Sequence, residues 1–263
     1  MPPEGRGSLS IVVLTYPCET AALLLARLRH EGFAVTGVVL QRGNPARRLH
    51  QLIGAVGIRS AFGLAWRRLR AALLPHGAEP WRSDSFYRAH AGRLVVVPRL
   101  NHPSGREALL SLRPDVAVVG GAGILAPDIF TVPRMGTLNV HPGMLPRYRG
   151  LSSICWAVLE DGETGATLHF LDEGIDTGPV VARRLVPARP GDTLETLRRK
   201  VVDAGLELLI DALDVMAQDG ALSGVSQSRE DGRYYRMAPA SVRRRAAARL
   251  RAMTAAESPR IIG

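Results

Sequence analysis

Residues 10–40 constrain the fold most. Ser10-Ile11-Val12-Val13-Leu14-Thr15 is an apolar run of the kind a strand buried on both faces needs. Tyr16-Pro17 turns the chain, and Glu19 to His30 follows with Leu23, Leu24 and Leu28 read as one helical face. Gly32 stops that helix, and Phe33 to Leu40 supplies a second strand through Val35, Val38 and Val39. Strand, helix and strand within about thirty residues make a β-α-β unit, and such units build parallel sheets. The expected class is α/β, a Rossmann-like open and mostly parallel sheet with flanking helices.

The same alternation continues. Leu94 to Val97 reads as a strand, Ser104 to Leu112 as a helix and Val116 to Val119 as a strand. Gly121, Gly123 and Ala126 then satisfy G-x-G-x-x-A, but no acidic residue stands about twenty positions on to hold a ribose, so a dinucleotide site is not expected. Leu151 to Glu160 reads as a helix that Ser152 or Ser153 could cap, with Trp156 packed inside. Val180 to Val186 is a further strand. Asp192 to Glu195 opens a long helix with Leu197, Val201, Leu206 and Leu209 as its stripe.

Three stretches are less regular. Arg47 to Leu74 looks helical, with Arg67, Arg68 and Arg70 among Leu64, Trp66, Leu69 and Leu73. It is read as part of a helical insert over about 44–92. Phe86 to Ala91 reads as a short helix. After residue 219 the chain looks helical and coil-like, with arginines 243, 244, 245, 249 and 251 on one segment. Domains are therefore drawn as a catalytic domain over 1–215 and a short C-terminal extension over 216–263, too short for a full β-barrel.

The net charge is +10, nearly all of the positive side being arginine. That excess allows a phosphate-bearing partner, and it also allows solvated arginine faces. Two cysteines, Cys18 and Cys155, make a poor disulfide framework and fit a reducing cytoplasm. No apolar run reaches membrane-spanning length, and the N-terminal Leu9 to Leu14 run reads as a strand rather than a signal peptide.

The chemistry gathers between Gly136 and Pro179. Leu138-Asn139-Val140-His141 alternates as a strand does, so Asn139 and His141 point the same way. Pro142-Gly143 stops the strand, which would leave His141 at an exposed end. Ala166 to Leu171 is a second strand, with His169 beside the core, and it runs into a loop holding Asp172, Glu173 and Asp176. An amide can donate to an oxygen that becomes negative, an imidazole can move protons near neutral pH, and a carboxylate can orient that imidazole or accept a proton. The spacing of His141, His169 and Asp176 matches no zinc motif, so no metal is expected.

Asn139-Val140-His141-Pro142-Gly143-Met144-Leu145-Pro146-Arg147-Tyr148-Arg149-Gly150 resembles the N-x-H-x-S-L-L-P-x-x-x-G signature of the folate-dependent formyltransferases. Asp172 to Pro179 resembles their D-x-G-x-D-T-G loop, and the likeness covers roughly residues 9 to 215. Gly143 and Met144 stand where that pattern has Ser and Leu. The resemblance implies a formyltransferase fold and an enzyme that takes its formyl group from N10-formyltetrahydrofolate without a metal. It implies Asn139, His141 and Asp176 as the catalytic trio and His169 as a secondary site residue. For the folate it implies Gly123, Ile124 and Leu125, then Gly143, Met144, Leu145 and Pro146, with Asp172 and Glu173.

The acceptor is expected to be a primary amine on a small molecule, an amino sugar or nucleotide-linked amino sugar above all. The short tail argues against tRNA, although the arginine cluster could touch phosphates. The alternatives are a methionyl-tRNA formyltransferase-like enzyme and a formyltetrahydrofolate hydrolase. A non-enzymatic basic module that binds nucleic acid or membrane is the remaining one. Whether the donor is a formyl or a formimidoyl folate is left open.

Overall fold

The computed structural model describes residues 9–42, 79–160, 163–228 and 230–256. The helix expected over Arg47–Leu74 lies outside the described residues. The chain divides into two compact units. One comprises Ser10–Pro114 and Gly120–Val132; the other comprises Met1–Leu9, Asp115–Val119 and Pro133–Gly263.

In the first unit, β1 (Ile11–Thr15), β2 (Val35–Gln41) and β3 (Arg93–Val97) lie in the order β3-β2-β1, and both pairings are parallel. Ile11, Val12, Val13 and Leu14 are fully buried, as the unbroken apolar run requires. Helix α1 (Glu19–His30) links the first two strands. Its acidic first turn and basic last turn both suit the helix dipole. Ala21, Leu24, Leu25 and Leu28 face inward, whereas Leu23 is 41% exposed. The expected stripe was thus misplaced at one position: Leu23 and Leu28 are five residues apart, too far round a 3.6-residue turn to share a face. Helix α2 (Asp84–His90) is capped by Ser83, and helix α3 (Pro103–Leu112) by His102.

The second unit holds β4 (Val116–Val119), while the single turn α4 (Pro127–Phe130) belongs to the first. β5 (Thr137–His141), β7 (Gly165–Phe170) and β8 (Val180–Leu185) continue the second unit's sheet in the order β4-β5-β7-β8. β4 and β5 are parallel; the next two pairings are antiparallel. Helix α5 (Ser153–Glu160) follows the short strand β6 (Tyr148–Gly150). Helix α6 (Leu194–Asp219) opens on a capping box between Thr193 and Thr196 and packs on β5, β7 and β8. The fold is the expected α/β arrangement of mostly parallel strands with flanking helices.

Beyond Asp219 the chain is not only helix and coil. Arg233–Tyr235 forms β9, which pairs in parallel with β6, and helix α7 (Ala240–Ala256) packs on α5 and α6. Three residues are too few for alternation to announce a strand. Two contacts fasten it: the Tyr235 hydroxyl donates to the Glu160 carboxylate at 2.7–2.8 Å, and Trp156 donates to the Arg236 carbonyl at 3.1 Å.

Candidate active site

The antiparallel pairing of β5 with β7 sets Asn139 opposite His169 and His141 opposite Thr167. Residues directly opposite on one sheet face are neighbours. The Asn139 amide accordingly lies 3.1 Å from Nε2 of His169. His169 is fully buried, and its Nδ1 lies 2.8 Å from the Phe170 carbonyl. A carbonyl only accepts, so Nδ1 carries the proton and Nε2 offers a lone pair to the Asn139 N–H. Burial pushes the His169 pKa below its ordinary value; nearby Asp176 opposes this and His141 adds to it. The neutral ring therefore fixes which way the Asn139 amide is turned, and one amide N–H remains for another partner.

His141 is only 3% exposed, not at an open strand end. The loop after it folds back and covers the ring. Its Nε2 lies 2.6 Å from the Tyr148 carbonyl and 3.2 Å from the Ser153 hydroxyl, while its Nδ1 lies 3.4 Å from Asp176 Oδ2. With Nε2–H directed at a carbonyl, Nδ1 is the nitrogen turned to the carboxylate. That contact becomes a charge-assisted hydrogen bond whenever the ring holds its second proton.

Asp176 has a left-handed backbone, φ +54, in a loop anchored on several sides. The Gly150 N–H donates to its Oδ2 at 2.8 Å, and its Oδ1 stands 3.7 Å from His169 Nε2. Gln227 donates to the carbonyls of Asp176 and Gly178 at 3.1 and 2.6 Å. Arg149 in turn donates to Gln227 Oε1 at 3.2 Å. Asn139, His141, Asp176 and His169 thus form one cluster.

The other expected residues lie as follows. Asp172 accepts from Gly174 N–H and the Thr177 hydroxyl, so it shapes its own loop, and Glu173 is exposed. Gly143 and Leu145 are buried: Thr167 donates to the Gly143 carbonyl and accepts from Leu145 N–H, and Arg183 donates to the Leu145 carbonyl. Met144 packs against Tyr148, Ala157 and Tyr235, and Pro146 is half-buried. Gly123, Ile124 and Leu125 belong to the other unit. There they line a cavity of about 320 Å³ with Gln41, Arg99, Leu100 and Asn101. Asn101 clamps that loop through the Ile124 carbonyl and the Ala126 N–H, both at 2.9 Å, and Ile124 is 70% exposed.

Four contributors had no signal of their own in the sequence: the Tyr148 carbonyl, the Gly150 N–H, Gln227 and Ser153. Neither serine caps α5 by its hydroxyl. That of Ser152 accepts from Ala238 N–H, and that of Ser153 stands beside His141. Among the described residues, no group of three or more His, Cys, Asp or Glu could hold a metal ion, and no helix is long and apolar enough to cross a membrane.

The formyl transferase family profile matches residues 95–213. The methionyl-tRNA formyltransferase of Roseiflexus castenholzii is 34% identical over 86% of this chain and 67% of its own length. That of Anaeromyxobacter dehalogenans is 33% identical over 94% of this chain and 73% of its own length. The crystal structure of an N-formyltransferase from Helicobacter canadensis, a complex with folinic acid and dTDP-3-aminofucose, covers 87% of this chain and 71% of its own at 14% identity. Its TM-score of 0.58 reports a common fold. Sequence likeness across most of the chain, the α/β fold and the buried amide–imidazole–carboxylate cluster lead to one conclusion: this chain belongs to the formyltransferase family, the folate-dependent enzymes of formyl transfer.

Proposed function

We propose that the chain moves a formyl group from N10-formyltetrahydrofolate to a primary amine, with Asn139, His141 and Asp176 as its catalytic residues. The observation that carries this is the cluster itself, in which each of the three has a fixed orientation and a distinct chemical capacity. The amine's lone pair forms the new C–N bond, and the carbonyl electrons move onto the formyl oxygen. The remaining Asn139 N–H and the His141 ring stabilise that oxygen. Asp176 accepts the proton that the amine releases, directly or through water. Collapse of the intermediate breaks the bond to the donor nitrogen, and His141 returns a proton to it. For the donor, the Gly123–Leu125 cavity offers exposed apolar surface beside amide groups, a fit for a flat heteroaromatic ring. The 143–146 loop, Asp172 and Glu173 are likewise proposed as folate contacts.

The acceptor reading shifts from the one the short tail suggested. The relatives at 33–34% identity are named methionyl-tRNA formyltransferases, so an aminoacyl-tRNA amine takes first place. The net charge of +10 suits a polyanionic partner. A nucleotide-linked amino sugar is the second reading. It rests on the common fold with the Helicobacter enzyme. The deciding experiment offers N10-formyltetrahydrofolate with methionyl-tRNA, with dTDP-amino sugars, or with buffer alone. Turnover with methionyl-tRNA supports the first reading and turnover with the sugar the second. Turnover in buffer would make the chain a hydrolase, and turnover unchanged in His141→Ala would remove the proposed site.

A further inference from the structure

We propose that Ser153 is a positioning residue for His141 and that Gly143 is its steric complement, a pair that must change together. The inference rests on the reading of His141 as catalytic.

Ser153 is the first residue of α5 and is 1% exposed. Its hydroxyl lies 3.2 Å from His141 Nε2, the nitrogen that already faces the Tyr148 carbonyl at 2.6 Å. The carbonyl takes the N–H, and the Ser153 oxygen flanks it as a second acceptor. Two acceptors on one edge of the ring restrict its rotation and hold Nδ1 toward Asp176. The hydroxyl is free for this because it does not cap its helix. Ser152, with a left-handed φ of +58, provides the backbone carbonyl for Cys155 and Trp156 N–H and so turns the chain into α5 ahead of Ser153.

The clamp fits only because residue 143 has no side chain. A Cβ there would stand 2.7 Å from Ser153 Cβ, 2.8 Å from His141 Nε2 and 3.0 Å from the Tyr148 carbonyl oxygen. Those are the three groups that form the clamp. Gly143, which stands where the resembled signature has serine, is therefore explained by the clamp as a whole, with Ser153 Cβ its nearest member. In this chain the hydroxyl at the back of the histidine comes from the start of the helix.

The test uses the full chain carrying ¹⁵N-labelled histidine. In Ser153→Ala the His141 ring nitrogen signals should move while those of His169 stay. The turnover number should fall about tenfold, the scale of one neutral hydrogen bond, with KM for donor and acceptor within about twofold. Gly143→Ala should lower Tm and turnover, and Gly143→Ala/Ser153→Gly should recover part of the Tm, since it removes the Cβ–Cβ contact, but not the turnover, which needs the Ser153 hydroxyl. Unmoved His141 signals with a wild-type turnover number in Ser153→Ala would overturn the proposal, as would strictly additive effects in the double variant. The two readings separate cleanly. If His141→Ala turned over normally while Ser153→Ala still displaced the ring signals, the clamp would stand and the catalytic reading would fall.

Discussion

Asn139 donates its amide N–H to Nε2 of His169 across 3.1 Å, joining two adjacent strands by a bond that exists only while the imidazole is neutral. The buried ring binds its proton less readily than it would in an unfolded chain. As pH falls below about 6.5, the unfolded state takes up the proton first. The stability held by this ring should be complete above that value and decline on acidification toward the ring's lower folded pKa. Urea melts of the wild type at pH 8 and pH 5.5 should differ more than those of His169→Gln, which lacks the titrating group.

Within the trio, Asn139→Ala should reduce turnover by about 10²–10³, the range for losing one oxyanion donor. His141→Ala should cost about 10²–10⁴, as loss of a general acid–base does. Steady-state rates at saturating donor, with circular dichroism to verify folding, measure both. Wild-type turnover in each would remove these residues from the chemistry.

Asp192, 6% exposed, accepts from Lys200 at 2.7 and 2.9 Å, from Arg189 N–H at 2.7 Å and from the Thr196 hydroxyl at 3.1 Å. Burial pushes its pKa up, but these partners together outweigh it and bring the carboxyl below its usual range. Asp192→Ala should cost about 2 kcal/mol, the scale of hydrogen bonds to a charged group, read as a lower urea midpoint at pH 7. The wild-type advantage is complete above about pH 4 and disappears as the carboxyl protonates below it.

Gly205, on α6, packs directly beneath Val140, where a Cβ would collide with Val140 Cγ1. Val140 stands between Asn139 and His141. Gly205→Ala should destabilise the fold by about 1–3 kcal/mol and lower turnover without touching any ligand. Thermal melts and rate measurements on one preparation would register both effects.

Strand alternation was enough to place Asn139 and His141 on one side, because period 2 is a local property of the chain. The acid loop was legible for the same reason. The burial of His141 was not, since it depends on Tyr148 and Ser153 returning over the ring from beyond a turn. Gln227 sits in a stretch without periodicity and acts through two carbonyls, which leave no mark in side-chain patterns. The error at Leu23 was one of helical phase, and β9 was too short to show alternation. Local periodicity carried the strands and helices; the contacts that hold the site arise only when distant segments close on it.

Gln227 and β9 also bear on the order in which the site can form. Chains emerge from the ribosome N-terminus first. A nascent polypeptide released through α6 already has Asn139, His141 and Asp176, yet the carbonyls of Asp176 and Gly178 await a donor made some fifty residues later. Completion of the aspartate loop therefore waits for Gln227 to be made, and a message truncated after the long helix would yield every side chain of the proposed catalytic trio without the fastening that sets the last of them.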